Sequence, residues 1–224
     1  MNNDYTHISM VIDRSGSMSS CWNDVQGGYA EIVKTNKETP GKATFTVAAF
    51  DTEYDILEDF TPIAEVKDSL DVHPRGGTAL LDAIGKTINS VGKKLAALVE
   101  SERPAKVLFI VQTDGEENSS REFTPQAIKA LIEEHNTKYN WQFQFVGASQ
   151  QSVTEAKAWG FSTANSSTYN VANSKAAFAT LGEKTRSIRG SSMENYAATV
   201  MFSDAEKSTL NAEKSDTESK KDTL

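Results

Sequence analysis

Short apolar runs along this chain alternate with longer stretches in which apolar residues recur every three or four positions, the pattern of strands and amphipathic helices taken in turn. The first run, Ile8 to Ile12, stops abruptly at Asp13 and reads as a buried strand emptying into the oxygen-rich loop Asp13-Arg14-Ser15-Gly16-Ser17. Trp22 to Lys37 then carries Val25, Tyr29, Ile32 and Val33 at helical spacing, with Asn23 or Asp24 available as its cap. Gly27-Gly28 inside it weakens the helix and suggests close packing against the sheet. After the break at Pro40-Gly41, two β-type runs, Thr44 to Phe50 and Tyr54 to Phe60, flank Asp51-Thr52-Glu53, a spacing that suits a hairpin at an antiparallel edge. Ile63 to Leu70 reads as a short helix.

The loop His73-Pro74-Arg75-Gly76-Gly77-Thr78 opens into the most regular helix of the chain, with Leu80, Leu81, Ile84, Ile88, Val91, Leu95, Leu98 and Val99 three or four apart. Val107 to Val111 is continuously apolar, as in a central parallel strand covered on both faces, and it too runs into a carboxylate, in Gln112-Thr113-Asp114-Gly115. Thr124-Pro125 caps the next helix, whose buried face is Ile128, Leu131 and Ile132, and Trp141 to Gly147 reads as another strand. Val153 to Trp159 predicts a helix stopped by Gly160, a short strand follows around Tyr169 to Val171, and Asn173 caps a last helix through Phe178, Leu181 and Ile188. The order predicts a doubly wound α/β fold, a mostly parallel sheet with one antiparallel edge strand and helices on both faces. One domain is expected over residues 1–202, and the polar stretch 203–224 is expected to be a disordered tail.

Composition narrows the function. The 224 residues, 38% hydrophobic, suffice for one sizeable core, and a net charge of -8 argues against a nucleic-acid partner, which requires clustered Lys and Arg. There is no leader pattern and no run long enough to cross a bilayer, and the lone Cys21 excludes an intrachain disulfide framework, so a cytoplasmic protein without a membrane partner is expected.

Three loops therefore offer oxygen donors: Asp13 with Ser15 and Ser17, Thr78, and Asp114. In an open α/β sheet such loops are where ligands bind, and carboxylates with hydroxyls are hard donors suited to Mg²⁺ or Mn²⁺. Each has a plainer reading. Asp and Ser commonly make turns, and the Thr78 hydroxyl could simply cap its helix.

Taken together, the three loops resemble a von Willebrand factor type A domain, also called the integrin I-domain fold. That family's metal-ion-dependent adhesion site, or MIDAS, combines Asp-x-Ser-x-Ser, a Thr in a second loop and an Asp in a third. The matching positions here are Asp13, Ser15 and Ser17, then Thr78 in Gly76-Gly77-Thr78, then Asp114 in Thr113-Asp114-Gly115, and the resemblance covers about residues 5 to 190. It implies a non-enzymatic protein-binding module. The five residues would hold Mg²⁺, with Mn²⁺ or Ca²⁺ as substitutes, and a Glu or Asp carboxylate of a protein partner would complete the coordination. A short member of this kind suggests a bacterial or phage source. Some intracellular members serve chaperone-like ATPases; this chain has no Gly-x-x-x-x-Gly-Lys-Ser/Thr loop, so any ATP use would be the partner's.

The competing enzymatic reading is a Mg²⁺-dependent phosphotransferase of haloacid dehalogenase type. It needs Asp-x-Asp, with the second carboxylate as general acid, where this chain has Ser15. Among the neighbours, Glu116 and Glu117 read as solvated acids that would repel wrongly approaching acidic surfaces. His73 reads as a loop residue, and Cys21 and Trp22 as core. Arg14 and Arg75 would either meet a partner's carboxylate or balance local charge.

Overall fold

The computed structural model describes residues 1–213. Strand β1 (Asn2–Asp13) is buried from Tyr5 onward. It pairs in parallel on one side with β2 (Lys42–Phe50) and on the other with β4 (Pro104–Thr113). β3 (Tyr54–Pro62) runs antiparallel to β2 and closes one edge, while β5 (Gln142–Gly147) and β6 (Ser166–Thr168) extend the other in parallel. The six strands thus lie in the order β3-β2-β1-β4-β5-β6, the mostly parallel sheet with one antiparallel edge that the pattern predicts.

Because side chains on a strand alternate between faces, a continuous apolar run feeds two cores at once. Leu108 and Ile110 of β4 join Ile8, Met10 and Ile12 on one face. That face is covered by α1 (Trp22–Glu38), α5 (Ser174–Gly190), α6 (Tyr196–Val200) and α7 (Asp204–Leu210). Val107, Phe109 and Val111 point the other way with Phe143 and Phe145, under α2 (Leu80–Ala97), α3 (Pro125–Tyr139) and α4 (Gln150–Ala158). Each fully buried Leu, Ile or Phe of this kind contributes about 1.5–3 kcal/mol. The chain leaves β1 toward β2 on one side and returns to β4 on the other. The carboxyl ends of β1 and β4 therefore meet at a topological switch point, where open α/β sheets form their ligand crevice.

Several local expectations are corrected. Ile63 to Leu70 is a single 3-10 turn, Ile63–Glu65, followed by irregular chain that bends at Asp68-Ser69. The backbone N–H groups that a helix would use are taken by side chains, Lys67 N donating to Glu58 Oε1 (2.9 Å) and Leu70 N to Gln26 Oε1 (2.9 Å). Gly28 packs against α5 and not the sheet: a Cβ there would meet Phe178 Cβ at 2.2 Å, whereas one at Gly27 would meet nothing within 4 Å. The residue capping α1 is Cys21, with no side-chain bond, and the late strand is Ser166–Thr168 and not Tyr169–Val171, since Tyr169 turns into the core. Asn173 precedes α5 but its Nδ2 donates to Ala212 O (3.2 Å), so it does not cap by side chain.

The polar stretch after 202 also departs from expectation. It continues as α7, opened by a capping box of Ser203 with Glu206 and pinned by Leu210, which is 0% exposed. Lys184 of α5 reaches Glu206 at 2.9 Å. The remainder of the expected tail, 214–224, lies outside the described residues.

Candidate metal centre

The first loop folds on Asp13 itself. Ser15 N donates to Asp13 Oδ1 (2.6 Å), an Asx-type turn that lifts the next two hydroxyls toward the same side. Ser15 Oγ and Ser17 Oγ lie 3.0 Å apart, and Ser17 Oγ donates to Asp114 Oδ1 (2.8 Å), so the first and third loops touch through their oxygens. Thr113 Oγ1 donates to Asp13 Oδ2, tying the end of β4 to the end of β1.

Thr78 arrives by a different route. Helix α2 begins at Leu80 behind Ala79 with no side-chain cap, so the Thr78 hydroxyl does not serve as one. The helix's free N–H groups are satisfied from the third loop instead: Leu81 N donates to Glu117 Oε2 (2.9 Å) and Asp82 N to Ser120 Oγ (3.0 Å). Asp82 returns the favour by accepting from the backbone N–H of Arg121, Glu122 and Phe123 at 2.8–2.9 Å. Asn118 Oδ1 accepts from Thr78 N (2.9 Å), while Thr78 O accepts from Asn118 N and Ser119 N. With α2 capped from outside, the Thr78 hydroxyl is left facing the other donors. A Cβ added at Gly115 would sit 3.1 Å from Thr78 Oγ1 and 3.7 Å from Asp13 Oδ2, which places both oxygens around one small space that Gly115 keeps open.

All five candidate residues are thus brought to one place. Glu117 corrects the sequence reading, because its carboxylate accepts from Leu81 N, Ser119 N and Ser120 N and is a strut of the loop, not a solvated charge. Glu116 and His73 are exposed, and Cys21 and Trp22 are buried in the core as expected. Arg14 and Arg75 both turn away from the donors toward Asp51, at 3.0 and 2.8 Å, so the balancing of local charge is what they do here. Asp51, Asp82, Glu117 and Asn118 carry no spacing signal, and the sequence reading missed the role of each.

The electrostatics of the cluster is unusual for a buried acid. Asp13 is 0% exposed, and among the described residues no Lys, Arg or His pairs with it. Burial pushes its carboxyl up to about 6 despite bonds from Thr113 and Ser15, and the nearby Asp114 adds to the rise. Burial raises Asp114 as well. Two carboxylates and three hydroxyls are a hard, weakly charged donor set, and Gly115 leaves room among them that a side chain would fill. The residues present fit a small divalent cation. Among the described residues no group of three His, Cys, Asp or Glu side chains gathers as a metal site.

No family model and no curated protein sequence matches the chain. Its fold is similar to that of solved von Willebrand factor A domains. Von Willebrand factor type A from Catenulispora acidiphila matches over 81% of this chain at 17% identity and a TM-score of 0.57, and the match spans 43% of that protein. Proximal thread matrix protein 1 from the mussel byssus, with a zinc-occupied MIDAS motif, matches over 73% of this chain and 41% of its own at 18% identity and a TM-score of 0.52. Manganese-loaded TRAP protein of Plasmodium vivax matches over 80% of this chain and 75% of its own at 14% identity and a TM-score of 0.54. The chain therefore spans less than half the length of the first two, and at these identities the likeness is one of fold.

Proposed function

We propose that this chain is a protein-binding module of von Willebrand factor A type that acts through a divalent cation, Mg²⁺ in this reading, held by Asp13, Ser15, Ser17, Thr78 and Asp114. The observation that carries the reading is the buried Asp13 carboxylate, unpaired with any Lys, Arg or His among the described residues, facing a second acid and three hydroxyls across a space bordered by glycine. When bound, the cation would supply electrophilic attraction for one further oxygen, because so few anionic groups of the protein neutralise it. The partner would be a protein presenting a Glu or Asp carboxylate. The protein's own part is to keep the five oxygens converged on loops anchored to the sheet. Neighbours of this fold that hold manganese, or zinc at a MIDAS, support a divalent site in general. No chemistry of bond cleavage is proposed: the position that a phosphotransferase of haloacid dehalogenase type would give to its general acid is Ser15. The lone, buried Cys21 suits a reducing compartment such as the cytoplasm, and among the described residues no helix is long and apolar enough to cross a membrane.

Calorimetric titration of the full chain with Mg²⁺ or Mn²⁺ tests the site, and affinity capture in Mg²⁺ against chelator tests the function. One ion per chain is expected, lost in Asp114→Ala, whose fold should persist because the side chain lies at the surface end of β4. Absence of uptake by the folded wild type overturns the reading.

A further inference from the structure

One residue outside the donor set holds two of the three loops in place. Asp51, directly after β2, is 0% exposed and its Oδ2 accepts from Arg14 Nε (3.0 Å) and from Arg75 Nε (2.8 Å). Arg14 lies inside the first donor loop and Arg75 three residues before Thr78 in the second. The other carboxylate oxygen, Oδ1, accepts from Glu53 N (2.6 Å), which fixes the Asp51 side chain to its own hairpin. The backbone follows the same path: Arg14 N donates to Phe50 O (2.8 Å), Arg75 N to Arg14 O (2.8 Å), Gly16 N to Gly76 O (3.1 Å) and Ala79 N to Asp51 O (2.9 Å). Gly76, at φ +67°, lets the second loop pass against this node, where a Cβ would stand 3.0 Å from Thr52 Oγ1 and 3.6 Å from Asp51 Cβ.

We infer that Asp51 is a positioning residue for the divalent cation, setting through Arg14 and Arg75 the distance between the Asp13-Ser15-Ser17 loop and Thr78. This rests on the proposed cation site. Asp51 touches none of the five donors by a hydrogen bond; it acts by fixing the two chains that carry four of them. Groups that orient metal ligands in this way change metal affinity by about 10- to 100-fold when removed.

The charges allow positioning to be separated from simple field effects. Asp51→Asn leaves two guanidiniums less neutralised near the site and would weaken a cation by field alone. Arg75→Gln removes a positive charge, so a field effect predicts tighter binding of the cation, whereas loss of positioning predicts weaker binding. Manganese affinity by calorimetry and thermal unfolding in chelator are measured on the full chain for wild type, Asp51→Asn, Arg75→Gln and Tyr196→Phe. The last deletes a hydrogen bond to Val107 O, seven residues and about 23 Å down β4 from Asp114.

Positioning predicts about tenfold weaker Mn²⁺ binding in Asp51→Asn and about threefold weaker in Arg75→Gln, with Tyr196→Phe losing stability at unchanged affinity. Wild-type affinity in a folded Asp51→Asn, or unchanged or tighter binding in Arg75→Gln, overturns the inference while the cation site stands. If Asp51→Asn does not fold, Arg75→Gln alone decides, its guanidinium being half exposed and its loss tolerable. If the wild type itself takes up no Mn²⁺, the cation site and this inference fall together.

Discussion

Asp13 and Asp51 occupy nearly the same place in adjacent parallel strands: Asp13 is in register with Phe50, and Asp51 follows it. Both are 0% exposed. Asp51 is met by two guanidiniums and Asp13, among the described residues, by hydroxyl and amide donors only. The consequence is opposite titration. Burial raises both, but at Asp51 the bonds and charges of Arg75, Arg14 and Glu53 N outweigh it and hold the carboxyl below its usual value, while Asp13 is left at about 6. Burial alone therefore says little about an acid's task. An ionised carboxylate taken from water costs several kcal/mol unless a cation compensates, and the protein supplies that cation in one loop and omits it in the next.

The sharpest way to break this contrast is to remove each charge while keeping its shape. Asp13→Asn should weaken Mn²⁺ binding about 100-fold, equivalent to about 2.8 kcal/mol, yet leave the metal-free fold at neutral pH no less stable than wild type. Asp51→Asn should cost the metal-free fold about 2 kcal/mol, because it takes the fully buried carboxylate from Arg14 Nε and leaves that buried guanidinium only its pair with the half-exposed Asp55 (2.6 Å). Urea unfolding in chelator checks both. A metal-free Asp13→Asn as damaged as Asp51→Asn would mean that Asp13 is a structural acid.

pH reads the same contrast without mutation. The folded metal-free chain keeps a proton on Asp13 up to about pH 6, the unfolded chain only to 3.8. Between those values the folded state binds more protons, so stability should fall as pH rises through the window, by roughly 3 kcal/mol in total from this group. Asp51 has the opposite sign: its depressed carboxyl contributes stability above its unfolded value and loses it only in stronger acid. The difference in unfolding free energy between wild type and Asp13→Asn, followed from about pH 4 to about pH 7 in chelator, isolates the first term. Saturating Mn²⁺ should abolish the decline at the upper end, since the cation replaces the proton.

What was readable beforehand follows from the same physics. Asp13 and Asp114 announced themselves because an apolar strand that ends in an acid is a pattern along the chain, and Ser15, Ser17 and Thr78 sit beside Gly or Asp in recognisable loops. The sheet was readable because Val107 to Val111 and Ile8 to Ile12 are period-two or fully apolar segments bounded by turns. Asp51, Asp82, Glu117 and Asn118 were opaque because the partners through which they join separate loops lie 24 to 41 residues away, and several are backbone N–H groups that any sequence possesses. Helix α7 did leave a signal, the Ser203-x-x-Glu206 capping box before Leu210, but one apolar residue in a polar stretch is too little until α5 is in place to receive it.

A gentler perturbation fills the space between the donors. Gly115 lacks the left-handed φ that forbids a side chain, so Gly115→Ala should fold, but its methyl would stand 3.1 Å from Thr78 Oγ1 and 3.7 Å from Asp13 Oδ2. Loss of about tenfold in Mn²⁺ affinity, or about 1.4 kcal/mol, with a change in metal-free stability below about 0.5 kcal/mol is expected from calorimetry and urea unfolding. Unchanged affinity would show that the cation sits elsewhere.

The smallest expected effect is the most diagnostic of Asp13's surroundings. Thr113 Oγ1 donates to Asp13 Oδ2 and accepts from Gly115 N (3.1 Å), so Thr113→Val removes a bond that favours the ionised acid while nearly conserving volume. A lost hydrogen bond to a charged group is worth about 1.5–3 kcal/mol, but part of it is recovered because Asp13 can keep its proton. The loss of the Gly115 N bond is common to all pH values, so the metal-free variant should lose about 1 kcal/mol more at neutral pH than near pH 4, where the acid is neutral in both proteins. Proton release on Mn²⁺ uptake, measured in buffers of different ionisation enthalpy, should persist to higher pH than in wild type. At Asp51 no single hydroxyl could have this effect, because there two fixed cations, and not a mobile proton, answer the charge.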